Sequence, residues 1–190
     1  MRAAIRRQTD NVYRFRTLAT APNLTLITEA LEIGERVLRR QKFLRLFGVG
    51  DMSPGSVRFI NTLAMVIPEL HLWVSTRRFD LVPRLGDWKN LHVMLGLDTT
   101  TRALDVADVK QLLKRRHVDF FAAWVQREER ERVPAWVSVI FAEHHMRYRS
   151  AWSKKSIDAR ICRATIVDGA KHDNACIRCQ RCFNPEKRWT

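Results

Sequence analysis

The sequence lacks any long hydrophobic run. Its longest candidate, around Leu63 to Val74, is broken by Pro68, Glu69 and His71, well short of the roughly 18 uninterrupted apolar residues that a spanning helix needs. A membrane span is excluded on that ground. The opening residues, Met1-Arg2-Ala3-Ala4-Ile5-Arg6-Arg7-Gln8, lack the apolar stretch of a secretory signal, so the expected setting is a reducing, cytoplasmic one. No cysteine precedes Cys162. In such a compartment the four cysteines are expected as thiolates or metal ligands. Internal repeats, low-complexity tracts and Gly/Ser linkers are missing too, which leaves one domain with a short tail as the simplest partition.

Acidic residues are in deficit. There are 20 Asp and Glu against 34 Lys and Arg, a formal charge of +14 over 190 residues. The excess is unevenly placed: residues 1–45 carry +6, residues 46–144 carry +1 and residues 145–190 carry +7. A nearly neutral globule thus has basic ends. With 46% hydrophobic and 28% charged residues, the chain has enough apolar material for a core. The partition that follows is a basic segment over 1–20, an α/β domain over 21–150 and a basic tail over 151–190.

Leu24, Ile27, Leu31, Val37 and Leu38 recur at near-helical spacing among charged residues, which predicts an amphipathic helix over 22–40. Phe43 to Gly50 reads as a strand ending in a glycine-bounded turn. Ser53 as N-cap and Pro54 at the first helical position then predict a helix, with Val57, Ile60, Leu63, Ala64 and Ile67 inward and a stop at Pro68. Further strands are expected at Leu70–Ser75, Leu91–Leu97, Val118–Val125 and within Ala135–Phe141, with helices near Phe79–Leu85 and Asp105–Arg116 between them. The strand starts lie about 20 to 27 residues apart, the size of a compact βα unit. The fold class is therefore α/β, a mainly parallel sheet of about five βα units, either open or part of a (βα) barrel.

Ligands of such folds bind past the carboxyl ends of the strands. The residues expected there are Gly48, Gly50, Asp51 and Ser53, then Ser75 to Arg78, then Asp98 to Arg102, then Gln126, then Glu143, His144 and His145. Asp51, Arg77, Asp98 and His144 are the candidate catalytic residues. Asp98 has a second reading, as the holder of its own threonine-rich turn. Gly48, Gly50 and Ser53 are the candidate cofactor-binding residues, since a glycine turn before a helix N-terminus suits an anion. The spacing Gly48-x-Gly50-x4-Gly55 departs from the dinucleotide pattern G-x-G-x-x-G, and the glycines also serve as a sharp turn.

All four cysteines lie near the end, as Cys162, Cys176, Cys179 and Cys182 in C-x13-C-x2-C-x2-C. A C-x2-C step lets two sulfurs converge on one ion, and a third at the same interval favours a compact knot. An iron–sulfur cluster or zinc is the expected occupant. Arg163, Lys171, Arg178, Arg181, Lys187 and Arg188 surround the motif, and such cations lower thiol pKa. The same charges suit phosphates.

Leu44-Arg45-Leu46-Phe47-Gly48-Val49-Gly50-Asp51-Met52-Ser53, the stretch from Pro68 to Arg77, and the late cysteine motif together resemble the gene product 88 family of phages and mobile elements. The resemblance spans about residues 20–183. It implies a strand ending in a Gly-Asp turn, a second strand ending in a Thr-Arg pair, and cysteines near both ends. An N-terminal cluster is absent from this sequence, so the expectation is a chain that starts late in a longer frame or has lost that cluster.

Two surfaces carry weaker expectations. Arg127 to Arg132 alternates in sign and reads as a solvated face, while Trp73, Trp124 and Trp136 are expected in the core. DNA or RNA binding through Arg2, Arg6, Arg7, Lys154, Lys155, Arg178 and Arg181 is the expectation drawn from the basic ends. Trp152 and Trp189 lie in basic segments where a base could stack.

Overall fold

The computed structural model describes Thr17 and residues 20–46, 51–114, 119–126 and 131–142. Their elements run α1 (Asn23–Leu38), β1 (Phe43–Leu46), α2 (Pro54–Val66), β2 (His71–Thr76), a short 3-10 turn (Val82–Arg84), β3 (Leu91–Leu97), α3 (Ala103–Leu112), β4 (Asp119–Gln126) and β5 (Val139–Ala142). The strands form one parallel sheet in the order β1-β2-β3-β4-β5. The class is α/β. A sequential order without reversal is the winding of a βα barrel segment, and it has no switch point of the doubly wound kind.

The chain divides into two compact units, the first within Met1–Val93 and Arg116–Asp119 and the second within Met94–Arg115 and Phe120–Thr190. In the first, α1 packs on α2 and against β1. Ser53 caps α2 by accepting a hydrogen bond from the Ser56 amide at 3.2 Å, and Ser56 Oγ accepts from the Ser53 amide at 2.8 Å. This reciprocal box, with Pro54 at the first position, starts the helix where the sequence predicts. Val57, Ile60, Leu63 and Ala64 are buried, and the helix stops before Pro68.

The inward face of α1 differs from the expected one. Leu24 and Leu31 are 75% and 41% exposed, and the buried stripe is Leu26, Ala30 and Gly34. Small residues let α1 approach α2 closely: a Cβ at position 34 would fall 1.6 Å from Ile67 Cδ1. The connection after β2 also departs from expectation. Phe79–Leu85 holds only the 3-10 turn Val82–Arg84, because Pro83 lacks the N–H that a longer helix would need.

Asn90 closes the α2 end of the first unit. Its buried amide nitrogen donates to the carbonyls of Ala64, Ile67 and Leu70 at 3.2, 3.1 and 3.0 Å, and its own carbonyl accepts from the Leu72 amide at 2.7 Å. Carbonyls left by the ending helix are thereby satisfied.

The second unit buries Leu95, Leu97, Val109, Leu112, Phe121, Ala122, Ala123, Val137, Val139 and Ile140. There β4 and β5 pair in parallel from Ala123↔Val139 to Gln126↔Ala142. Trp124 is buried and donates its indole N–H to Glu131 Oε1 at 2.7 Å, so that glutamate is not purely solvated as its charge run implied. Trp136 lies outside the strand and is only half-buried, with the Lys110 ammonium 5.5 Å above its ring.

Candidate functional site

The loop between β1 and α2 is tied to the end of β2 by one carboxylate. Asp51 Oδ1 accepts from the Met52 amide at 2.7 Å and from Thr76 Oγ1 at 2.5 Å, and Oδ2 accepts from the Arg77 amide at 2.9 Å. Thr76 is 2% exposed. Its oxygen also accepts from the Arg78 amide at 2.9 Å, which fixes the first turn beyond β2. Asp51 and Arg77, singled out separately from the sequence, are thus direct partners through the Arg77 backbone. The next side chain is engaged on its own side: Arg78 forks onto Asp80 at 2.9 and 2.8 Å. That hydrogen bond holds the Asp80 carboxyl below its usual range.

Ser53 lies in the same loop and uses its hydroxyl for the helix cap. Pro54 has no N–H to offer an anion, and the Ser56 amide is already bonded. Asp98, in the second unit, is 1% exposed and holds its own turn. Its Oδ1 accepts from the Thr100 amide at 2.8 Å and from Thr100 Oγ1 at 2.6 Å, while the Asp98 amide donates to Thr101 Oγ1 at 3.0 Å. This is the Asx-turn geometry expected of Asp in a Thr-rich loop. Gly48, Gly50, His144 and the four cysteines lie outside the described residues, as do the basic residues assigned to nucleic acid. Among the described residues no group of three or more His, Cys, Asp and Glu side chains is arranged to hold a metal.

Comparison with known families decides the identity at this level: the family model described as Gene product 88 matches residues 2–185. The chain belongs to the gene product 88 family. Among curated proteins and among solved structures, no match was found. The gene product 88 match covers the Asp51 loop, the end of β2 and all four cysteines. It supports a phage protein and carries no reaction with it.

A second polar group in this gene product 88 chain was not singled out from sequence. His71 Nδ1 lies 3.0 Å from His92 Nε2, and His92 Nδ1 lies 2.5 Å from Asp119 Oδ2. The imidazole rings are 23° from parallel. Burial, then His92 and Lys42, push the His71 imidazole below its ordinary value, because a charged ring there loses water and meets other positive groups. On the same face, one side-chain step along, the Arg45 guanidinium sits 4.6 Å over the Trp73 ring. The Trp73 indole N–H is buried with no acceptor among the described residues. A signal did exist: β2 begins with His71, β3 carries His92 at its second position in an otherwise apolar strand, and β4 begins with Asp119.

Proposed function

We propose that this gene product 88 chain is a metal-binding phage protein in which Cys162, Cys176, Cys179 and Cys182 hold an iron–sulfur cluster or zinc, and that the Asp51–Arg77 loops form a ligand site. The spacing C-x13-C-x2-C-x2-C carries this reading. Four soft donors within 21 residues, three of them at a repeated two-residue interval, fit a thiophilic centre. The neighbouring arginines and lysines would favour the thiolate forms. A bound cluster would supply electron transfer, and zinc would supply a structural cross-link. The protein's own contribution at the other site is positional: Asp51 locks two strand-end loops so that Arg77 is presented from a fixed backbone.

The visible absorption spectrum of the anaerobically purified full chain tests the identity of the centre. An iron–sulfur cluster gives broad sulfur-to-iron bands that bleach on reduction. A colourless protein that holds zinc supports the structural alternative, and one that holds neither metal overturns the proposal.

The charge distribution favours one alternative, a nucleic-acid-binding accessory protein with basic termini and a structural zinc knot. With +6 and +7 at the two ends, binding would be insensitive to sequence and fall steeply with salt. Titration of labelled duplex and single-stranded DNA at about 50 and 200 mM salt, a range over which several phosphate contacts register, tests it. Absence of binding at the lower salt removes this alternative.

A further inference from the structure

The residues His71, His92 and Asp119 belong to neither of the functions above, and all three lie in the first unit. Their hydrogen bonds have a direction set by chemistry. An ionised carboxylate can only accept, so His92 Nδ1 must carry the proton it shares with Asp119. With both rings neutral, His92 Nε2 is then the acceptor and His71 Nδ1 the donor across 3.0 Å. The remaining ring nitrogen, His71 Nε2, is left with its lone pair and has no hydrogen bond among the described residues. The chain runs from cover to solvent: the His92 and Asp119 side chains are 4% and 16% exposed, whereas His71 is exposed.

Two cations share this part of the sheet, Lys42 before β1 and Arg45 within it. The Lys42 ammonium acts on His71, and the Lys42 carbonyl accepts from the His71 amide at 2.9 Å. Arg45 shares the sheet face of His71, because β1 and β2 pair Phe43 with His71 and Arg45 with Trp73. Its guanidinium is held over the Trp73 ring and is exposed. An exposed base with one cation acting on it and a second on the same sheet face suits a ligand that brings negative charge.

We propose that His71 Nε2 is a proton-accepting site for a small oxyanion-bearing molecule, such as a phosphate or carboxylate, held by Lys42 and Arg45. His92 and Asp119 are its positioning residues. The step is a proton transfer alone: an X–H bond of the ligand breaks, its electron pair stays on X, and an N–H bond forms at Nε2. The resulting imidazolium keeps its Nδ1–H bond to His92, and the Asp119 carboxylate stabilises the charge through that ring. The arrangement has the logic of a carboxylate that fixes the tautomer of a catalytic imidazole, lengthened by one histidine.

The tautomer makes the proposal testable without a known substrate. Asp119→Asn replaces a group that can only accept with an amide that can donate or accept, so His92 is no longer confined to the Nδ1–H form and the His71 proton is no longer confined to Nδ1. Nitrogen-15 NMR of histidine-labelled full chain at neutral pH should show an unprotonated Nε2 at His71 in the wild type and a mixture of the two tautomers in Asp119→Asn. Carbethoxylation of His71 by diethylpyrocarbonate, mapped by mass spectrometry, should be several-fold slower in the variant. Millimolar inorganic phosphate should protect wild-type His71 and lose that effect in Arg45→Gln. A wild-type His71 that carries its proton on Nε2 overturns the proposal, and this reading needs no variant to fold. Unchanged carbethoxylation in a folded Asp119→Asn removes the relay, and no protection by phosphate removes the anion site.

Discussion

Removing the Asp51 carboxylate should loosen the joint between two strand ends, and the structure sets the size of the effect. Asp51→Ala takes acceptors from Thr76 Oγ1, the Met52 amide and the Arg77 amide. A hydrogen bond to a charged group contributes about 1.5–3 kcal/mol, but the Arg77 amide is at an exposed site where water replaces the lost oxygen. The Thr76 hydroxyl is buried and has no such substitute. The expected cost is about 2–3 kcal/mol, most of it from Thr76 and Met52. Thr76→Val removes the same bond from the other side, together with the acceptor for the Arg78 amide, and should cost about 1–2 kcal/mol. Because the two changes delete one shared bond, the double variant should fall short of the sum by about 1–2 kcal/mol. Urea unfolding of the four proteins, followed by tryptophan fluorescence, measures all these terms. Additivity within about 0.5 kcal/mol, or an Asp51→Ala variant as stable as wild type, would refute the reasoning.

Three further outcomes follow from the packing and titration of the first unit. Gly34→Ala should destabilise by about 1–3 kcal/mol through overpacking against Ile67 despite the better helix propensity of Ala, and Ile67→Val, which lacks the crowding Cδ1, should recover part of the loss in the same urea assay. Asn90→Ala removes the amide group shared by the Ala64, Ile67 and Leu70 carbonyls, of which Ile67 keeps the Leu70 amide as donor, and should cost about 2–3 kcal/mol, given roughly 1–3 kcal/mol for a buried unsatisfied group; a melting temperature equal to wild type would contradict it. Folding favours the neutral His71 ring, so the unfolded chain binds the proton first. This contribution to stability is present above the ordinary imidazole value of about 6.5 and is lost as pH falls below it towards the folded value. His71→Gln should therefore lose less stability than wild type between about pH 7.5 and 5.5, read as the shift in urea midpoint.

Local signals were the most legible part of the sequence. Ser53-Pro54 starts α2 and Pro68 follows its end because caps and proline act within a few residues. The alternation of strand and helix gave the α/β class, and β3 occupies Leu91–Leu97 as read. The α1 stripe was misread because Leu24 and Leu31 are large and apolar, whereas the face that packs is built from Leu26, Ala30 and Gly34. Close approach rewards small side chains, which a hydrophobicity pattern does not mark. Asp51 was picked out by its place after a strand, but its bond to Thr76 spans 25 positions and depends on how β1 and β2 align. The His71–His92–Asp119 chain needs the registers of three strands at once. Nothing in any single strand discloses those registers.

The metal content of the full chain, purified anaerobically beside a Cys179→Ser/Cys182→Ser variant, tests the central claim most directly. The account predicts near-stoichiometric iron or zinc in the wild type, and its loss in the variant, since two of the four proposed sulfur ligands are gone. Metal-free wild-type protein, or equal metal in both proteins, would contradict it.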